Sequence, residues 1–543
     1  MENIFTEKPR KNNFDLSHEV KMTGNMGQLM PCFIQDVIPG DSYKVNTQQL
    51  IRFSPLLAPI MHSVDFKLDY FFVPYRIVWS EWKDFITGGE SGTDLPSCPR
   101  FEVDQATANS YLTKGSLADY MGIPPSDLTA SQGAFKNITG TKQSIDILKF
   151  RAYQLIWHEY FRDQNLNQAG YEQYTNSGVQ TGTTVLNNQL TLRNTNWSKD
   201  YFTSALPFLQ RGAEVKLPLG STAPLLYGDY SGVDPNGDST IIKTPASVGG
   251  ATQSANSFQS AGNGKFFTGS NVLVNPDITN THAVDLANAT ATTINELRKA
   301  SALQRYLEIM ARAGSRYREQ IHAIFGERIP DYTVQIPKYL GGGKTPVMIS
   351  EVLSTYQSES DTANKRPQGD MSGHALALGD NISFTENFDE HGVILGVCRV
   401  VPKASYCQGL SKFWQKFDKF DYFFPQFANL GEQEINAKEI YVRGNDTEDK
   451  VVFGYQQRYA EYKYKENMIS GDFRDTLNYW ELSRRFSNTP TLNESFVQCR
   501  HDADELARIF AITDATEDKL WMSLYHKVSA IRPIPYFSNP SLT

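Results

Sequence analysis

The stretch QLIRFSPLLAPIMHSVDFKLDYFFVPYRIVWSEW, from Gln49 to Trp82, decides the fold. Between Val64 and Phe72, apolar side chains alternate with those of Asp65, Lys67 and Asp69. A period of two places one apolar face on a core and leaves the other face in solvent. The pattern therefore predicts a half-buried antiparallel strand.

The chain changes character directly after this strand. Pro74 cannot donate to a β-ladder, and the segment 79–89 has helical spacing until Gly88 and Gly89 stop it. A second apolar run, from Gly392 to Val401, is continuous and rich in β-branched residues. Such a run predicts a strand that is covered on both faces.

Strand patterns occupy both ends of the chain and helical patterns its middle. The clearest further strand candidates are SYKVNTQQLIRF (42–53), YTVQIPKYL (332–340) and FGYQQRYAEYKYK (453–465), while helical spacing marks 145–160 and 296–325. Because strands and helices do not alternate regularly, we predict a mainly β fold, an antiparallel core with helical excursions, over a doubly wound sheet.

The segment 296–325 is the strongest helix candidate. One face carries an apolar stripe and the opposite face a row of arginines, with Gly314 marking a bend. The stripe contains Leu303, Leu307, Met310, Tyr317, Ile321 and Ile324, and the row contains Arg298, Arg305, Arg312 and Arg316. We interpret the row as a solvated basic face; contact with phosphates or with an acidic neighbouring subunit is the alternative.

Composition excludes several classes of protein. The 543 residues carry a net charge of -8, which argues against a surface that grips nucleic acid everywhere. No apolar run reaches the roughly 18 residues that span a bilayer, and no secretory signal is visible at the N-terminus, so we expect a chain that folds in a cytoplasm. Five widely spaced cysteines fit neither a disulfide framework nor a zinc site, and we expect no metal and no cofactor.

Each enzyme motif that the sequence suggests lacks a residue that the motif requires. GGGKT (341–345) lacks the earlier glycine of a phosphate-binding loop, because Lys338 stands there, and we interpret it as a glycine-rich turn. His158-Glu159 lacks the second zincin histidine, since Arg162 occupies that position. The sequence therefore predicts no catalytic residue.

Two basic segments are candidates for contact with nucleic acid. Lys412, Lys416 and Lys419 interleave with aromatic residues, as where bases stack beside a charged track; the sequence alone favours a core-facing aromatic cluster edged by lysine stems. Near the N-terminus, the polar arm 1–20 contains Lys8, Arg10 and Lys11. The arm is either an inward-facing contact with a genome or a solubilising tail.

Segment 221–293 differs from the rest of the chain. Gly, Ser, Thr, Asn and Ala dominate it, aromatics thin out and charges are few. We predict a long surface insertion with some short strands.

Several separate motifs resemble the major capsid protein of microviruses. They occur in the same order along most of the chain: FDLSHEVKMT (14–23), FTSALPFLQRGAEVKLPL (202–219), LQRYLEIMARAGSRYREQI (303–321), YLGGGKTPVMISEVL (339–353), PQGDMSGHA (367–375), GYQQRYAEYKYKENMISGDFR (454–474) and RPIPYF (532–537). The resemblance is nearer the gokushovirus-like branch than the branch with a separate large spike protein. No family motif is recognised in 221–293, where relatives carry a variable protrusion thought to meet the host.

The resemblance implies one domain over 1–543, a single eight-stranded antiparallel jelly roll with long loop and helix insertions. It implies a coat protein that assembles through pentamers into a T=1 icosahedral shell around circular single-stranded DNA, made in the host bacterial cytoplasm and found in the virion. The implied partners are further copies, an internal scaffolding protein, a DNA pilot protein, a small basic DNA-binding protein and a host receptor such as a glycan. In such a shell, the aromatic segment 414–427 serves subunit contacts instead of a private core. A β-rich carbohydrate-binding adhesin is the alternative function.

Overall fold

The computed structural model describes residues 10–128, 142–167, 172–213, 294–355, 368–500, 504–512 and 517–537, the single residues 135, 138, 215 and 514, and the backbone of short strands between 225 and 284. Lys8 and most of the segment 221–293 lie outside these residues.

The strands dominate the architecture. In chain order they are β1 (Asn12–Asp15), β2 (His18–Gly24), β3 (Met30–Val37), β4 (Ser42–Phe53), β5 (Val64–Pro74), β6 (Arg100–Val103), β7 (Gln143–Asp146), β8 (Val179–Gln180), β9 (Leu225–Tyr227), β10 (Tyr230–Val233), β11 (Ser239–Ile242), β12 (Gln259–Ser260), β13 (Phe266–Phe267), β14 (Leu273–Val274), β15 (His282–Val284), β16 (Lys338–Pro346), β17 (Met348–Leu353), β18 (Met371–Asn387), β19 (Gly392–Pro402), β20 (Glu432–Asn436), β21 (Val452–Gln457) and β22 (Leu520–Arg532).

The helices are mostly short. The α-helices are α1 (Tyr75–Val78), α2 (Trp82–Thr87), α3 (Gln105–Tyr111), α4 (Leu117–Tyr120), α5 (Leu148–Ile156), α6 (Thr183–Leu190), α7 (Ile294–Ala313), α8 (Tyr317–Phe325), α9 (Asp446–Asp449), α10 (Glu494–Val497) and α11 (Asp504–Ala507). A π-helical turn, Trp157–Phe161, continues α5. The 3₁₀ turns are Lys412–Trp414, Lys419–Asp421, Pro425–Phe427, Ala437–Glu439, Ala460–Tyr462, Gly471–Arg474 and Asn478–Trp480.

A six-stranded antiparallel sheet joins the two ends of the chain. Its order is β1-β22-β4-β18-β17, and β2 also pairs with β22. β4 alternates buried and exposed side chains along its whole length, as its sequence predicts. One face of this sheet therefore packs on a core, and the other is open in the isolated chain.

A four-stranded antiparallel sheet has the order β16-β5-β19-β3. The alternation predicted for β5 holds from Val64 to Tyr70, and the strand is then buried through to Pro74. β19 is buried at every position except Arg399, which confirms a strand covered on both faces. Gly88, with φ of 80°, ends α2 in the left-handed conformation, and the predicted stop is thereby confirmed.

The two large sheets share one core. Phe66, Leu68 and Tyr70 of β5 pack in the same buried cluster as Val45 of β4 and Leu524 of β22. The opposite face of the four-stranded sheet packs on helices in a second cluster, where Phe71, Val73 and Leu395 meet residues of α1, α3, α4 and α5. The helix predicted at 145–160 is confirmed as α5 and its π-helical turn, although the first two residues of that range belong to β7.

The prediction of a mainly β fold with antiparallel sheets is confirmed. Smaller sheets complete it: β20 pairs with β21, and β6 pairs antiparallel with β7 and parallel with β8. Among the described residues, no sheet closes into a barrel.

The chain divides into two compact units. The larger contains residues 1–209 and 313–543, and the smaller contains residues 210–312. In the smaller unit, the described backbone forms a sheet of order β11-β10-β14-β13-β12 and the pair β15-β9.

Three sequence interpretations need correction. Gly341 to Gly343 do not form a turn, because they lie within β16 and pair with β5. The preceding segment 331–335 is a turn, and strand structure starts only at Lys338. The helix expected over 296–325 is two helices, since Gly314, at φ of 98°, separates α7 from α8.

Candidate subunit interface

Nine aromatic rings form an exposed surface on the segments that follow β19 and β21. We call it the aromatic surface; it contains Phe413, Trp414, Phe417, Phe420, Tyr422, Phe423, Phe424, Tyr462 and Tyr464. Their exposure runs from 37% for Phe420 to 87% for Phe417. The interpretation of a core-facing cluster is therefore wrong for the isolated chain, because aromatic composition alone does not show what covers the rings.

Tyr459 anchors this surface to the hairpin β20–β21. Its side chain is buried, its φ is 63°, and its ring lies edge-on to Phe423 at 5.3 Å between centroids. The Tyr459 hydroxyl lies 3.0 and 3.1 Å from the carbonyl oxygens of Phe420 and Tyr422, and Arg458 donates to the Phe420 carbonyl at 3.1 Å. An irregular segment is thus held in place by side-chain donors.

Asp421 fixes the turn that presents Phe417. Its carboxylate accepts backbone hydrogen bonds from Phe417 and Asp418, both at 2.9 Å. Burial opposes ionisation of Asp421, but the amide hydrogen bonds outweigh burial and lower its pKa. Gln415 adds a hydrogen bond to the Leu410 carbonyl at 2.5 Å. The exposed rings therefore stand on an ordered backbone.

Each of the three lysines Lys412, Lys416 and Lys419 has an intramolecular neighbour. Lys412 lies 3.7 Å from the buried carboxylate of Glu439. The Lys416 ammonium lies 3.7 Å from the ring centroid of Tyr462, and that of Lys419 lies 5.3 Å from the ring of Phe420. Lys419 is the most open of the three side chains.

The N-terminal candidates lie on a different element. Arg10 and Lys11 are exposed just before β1, and Lys11 donates to the Gly40 carbonyl at 2.5 Å. Lys8 lies outside the described residues. The five basic residues that the structure describes therefore lie on two separate segments of the chain.

Sequence reasoning missed one buried acid, Glu439, and two half-buried acids, Asp200 and Glu466. Glu439 lies beside Lys412 of the segment that carries the aromatic surface. Tyr201 donates to Glu439 at 3.0 Å, and Tyr406 donates to Asp200 at 2.8 Å. Burial raises the pKa of Glu439 even though Lys412 favours its charge. Burial also raises the pKa of Glu466, to about 7, and the carboxylates of Glu439 and Asp200 add to this rise.

The arrangement suits contact with protein more than catalysis or nucleic-acid binding. Exposed aromatics with few free charges are typical of protein interfaces. Across the described part of the chain, no group of three His, Cys, Asp or Glu is placed to hold a metal ion. Cys32, Cys98, Cys398 and Cys407 are free thiols, and all of them except Cys98 are buried. No helix among the described residues has the length and apolar character needed to cross a membrane.

Comparison with known proteins identifies the class. Residues 2–542 match the family described as "Capsid protein (F protein)". The chain is 34% identical to "Capsid protein VP1" of Chlamydia phage 1, covering 100% of this chain and 98% of that protein. It is 32% identical to "Capsid protein VP1" of Bdellovibrio phage phiMH2K and 28% identical to that of Spiroplasma virus 4, in both cases over 98% of this chain and 95% of the relative.

The chain therefore belongs to the F family of bacteriophage capsid proteins, the microvirus capsid family. Its relatives place it in the gokushovirus-like branch, as the sequence motifs predict. The family is structural, which confirms the prediction that the chain is not an enzyme. Capsid proteins self-assemble into a shell, so the chain is a component of a virion.

Proposed function

We propose that this chain forms a small T=1 icosahedral shell, by way of pentamers, around a circular single-stranded DNA genome. The observation that carries the proposal is the aromatic surface. In the free subunit, Phe417 is 87% exposed and Trp414 is 70% exposed, so apolar area remains in water. In a shell, each subunit is surrounded by further copies of the chain, and one of these can cover the rings. Contacts around a rotation axis must close, and a rigid backbone below the rings favours one fixed geometry.

We further propose that the two large sheets are the halves of an eight-stranded jelly roll. The six-stranded and four-stranded sheets become eight strands in all when β1 and β2 are counted as one strand and β16 and β17 as one strand. The shared core between the sheets supports this arrangement. High-resolution imaging of assembled particles tests it, because a different path between the strand lines would contradict the proposal.

Sedimentation velocity tests the shell directly. The protein is expressed with and without its neighbouring viral genes and observed at wavelengths that report protein and nucleic acid. We expect a megadalton boundary that carries both signals, and uniform round particles in the electron microscope. Pentamers alone without the neighbouring genes would indicate a missing scaffolding protein, whereas a monomer under every condition would overturn the proposal and favour the adhesin.

The segment 221–293 is proposed to mediate attachment to the host. Its Gly-, Ser-, Thr- and Asn-rich composition and the separate compact unit at 210–312 support this role. We expect a 221–293 deletion to assemble normally and to lose adsorption to cells. Loss of assembly in the deletion variant would show that the segment serves the shell instead.

The remaining partners follow from the same proposal. They are an internal scaffolding protein, a DNA pilot protein, a small basic DNA-binding protein and a host receptor, with synthesis in the host cytoplasm. Contacts of Arg10, Lys11 and Lys419 with DNA stay predictions, and for Lys412 and Lys416 the Glu439 carboxylate and the Tyr462 ring compete with that role. Sequence-independent contacts of this kind weaken as salt rises.

A further inference from the structure

Three basic residues lie in one row across the four-stranded sheet. Lys67 of β5 is directly opposite Lys344 of β16 and Arg399 of β19. Side chains that are directly opposed in antiparallel strands lie about 5 Å apart at Cβ, and like charges at this spacing repel. Asp65 and Asp69 flank Lys67 along β5, but Asp69 is held by Arg399 at 2.5 Å. The row is therefore only partly neutralised.

A cavity of about 410 Å³ opens beside this row. Its lining contains more basic than acidic side chains: Lys67, Arg162, Lys199, Arg316 and Arg399 against Asp163 and Glu319. The two acids are already engaged, Asp163 by Lys199 at 2.5 Å and Glu319 by Arg316 at 3.1 Å. The same ion pairs engage Lys199 and Arg316, and Arg399 is held by Asp69, so the case for an anion site rests on Lys67.

Among the described residues, the Lys67 ammonium has no acidic partner at ion-pair distance, since no carboxylate lies within 4.0 Å of it. Its hydrogen bond to the Ser198 hydroxyl is 3.4 Å long. Burial lowers the pKa of Lys67, and Arg399 lowers it further, against the opposing effect of Asp65 and Asp69. A bound anion would lower the free energy of this charge.

The uncharged part of the lining is polar. Side-chain amides and hydroxyls surround the cavity, namely those of Gln164, Asn165, Asn196, Ser198 and Ser315. Ser315 already donates to Gln164 at 2.5 Å and Asn196 to the Phe161 carbonyl at 2.8 Å, while the Ser198 hydroxyl faces Lys67. A phosphate group offers several acceptor oxygens to such donors, whereas a carboxylate offers two. The chemistry of the lining therefore favours phosphate.

We propose that this cavity binds a phosphate group, with Lys67 as its principal cation and Ser198 as a hydroxyl partner. The phosphate belongs either to the backbone of single-stranded nucleic acid or to free orthophosphate. The nucleic-acid source rests on the proposed shell function, while the phosphate chemistry stands without it. Arg10, Lys11, Lys412, Lys416 and Lys419 are not among the residues that line the cavity.

Calorimetric titration of the full-length protein tests the proposal. Orthophosphate and the oligonucleotide (dT)8 are titrated separately at pH 7 in a low-salt HEPES buffer. Lys67→Gln removes the proposed cation, and Lys527→Gln, at an exposed lysine of β22, is the control with the same loss of charge. We expect Lys67→Gln to weaken phosphate binding about 10-fold or more, as for a lost charge-assisted hydrogen bond, and Lys527→Gln to leave it within about 2-fold. Ser198→Ala should weaken it by a smaller factor.

The two probes distinguish the source of the phosphate, and the variants test whether the site exists. Binding of both probes, weakened by Lys67→Gln, supports the site with nucleic acid as the source; binding of orthophosphate alone supports it with free phosphate. Absence of binding to the unaltered protein overturns the proposal, as does binding that both lysine variants weaken equally or that Lys67→Gln leaves unchanged. Particle formation by each variant, seen by electron microscopy, keeps a failure of this site distinct from a failure of the shell function.

Discussion

The hydroxyl of Tyr459 lies 3.0 Å from the carbonyl oxygen of Phe420, and this contact ties the exposed aromatic surface to the hairpin below it. The segment 412–427 contains three 3₁₀ turns joined by irregular backbone and includes no strand. Its order therefore depends on a few side-chain donors.

Tyr459→Phe removes the hydroxyl and keeps the ring that packs on Phe423. Since a typical protein hydrogen bond contributes about 1 kcal/mol, we expect the free energy of unfolding to fall by about 1–2 kcal/mol with two carbonyls left without this donor. Urea unfolding of the free subunit measures the change. Tyr462→Phe, at a ring that is 53% exposed, is the control and should unfold like the unaltered protein.

Phe417→Ser tests the aromatic surface as a subunit interface. Because Phe417 is 87% exposed, its replacement should change subunit stability by less than about 0.5 kcal/mol. Assembly should nevertheless fall, since a neighbouring copy loses a ring to pack on. The sedimentation profile of Leu95→Ser, at another apolar side chain exposed at 76%, provides the comparison. Equal loss of shells in both variants would contradict a special role for the aromatic surface.

His526 makes the shared core sensitive to acid. It is fully buried, Thr47 lies 2.9 Å from its Nδ1 atom, and Nε2 donates to the Cys32 carbonyl at 3.1 Å. Burial lowers the pKa of His526 to about 4, and the nearby His18 contributes. The unfolded chain therefore takes up a proton first, near pH 6.5, and the fold loses stability as pH falls from 7 towards 4.

We expect this histidine alone to reduce the free energy of unfolding by about 2 kcal/mol between pH 7 and pH 5. His526→Gln removes that titration, so its unfolding free energy should depend less on pH over this interval. His374→Gln, at an exposed position of β18, should retain the dependence of the unaltered protein. Parallel pH curves for all three proteins would exclude His526 as the cause.

Alternation in the sequence predicts β4 and most of β5, whereas the cavities and surfaces are predicted poorly. The alternation at Val64 to Tyr70 and in β4 needs only a period of two, which is written in neighbouring residues. The reason for glycine at position 343 lies far away in the chain. A Cβ atom there would lie 2.9 Å from Ile382 of the facing sheet, which favours glycine within the strand. From the sequence alone, the same glycine is interpreted as part of a turn.

The candidate interface was likewise only partly predictable from the sequence. The aromatic and lysine composition of 412–427 drew attention to the segment, but only the fold shows that the rings are exposed. Glu439 and Glu466 carry no signal in the sequence, because their raised pKa values arise from burial beside residues far away in the chain. The row of Lys344, Lys67 and Arg399 likewise depends on strand register, which composition does not specify.

Glu466 gives the free subunit a pH dependence of the opposite sign to that of His526. Its pKa is raised to about 7, mainly by burial and then by the charges of Glu439 and Asp200. A raised folded-state pKa means that the fold is favoured while the carboxyl keeps its proton, and that stability falls as pH rises through 7.

Glu466→Gln should therefore stabilise the subunit at pH 8 by about 1–2 kcal/mol, after allowance for screening at a partly exposed carboxylate, and by less at pH 5. Glu434→Gln, at an exposed position of β20, removes the same charge and should not reproduce the gain. Urea unfolding at the two pH values measures both variants. If Glu466→Gln had the same effect at pH 5 and pH 8, the Glu466 carboxyl would not titrate between these pH values. Its position near Glu439 and Asp200 would then not control the stability of the subunit.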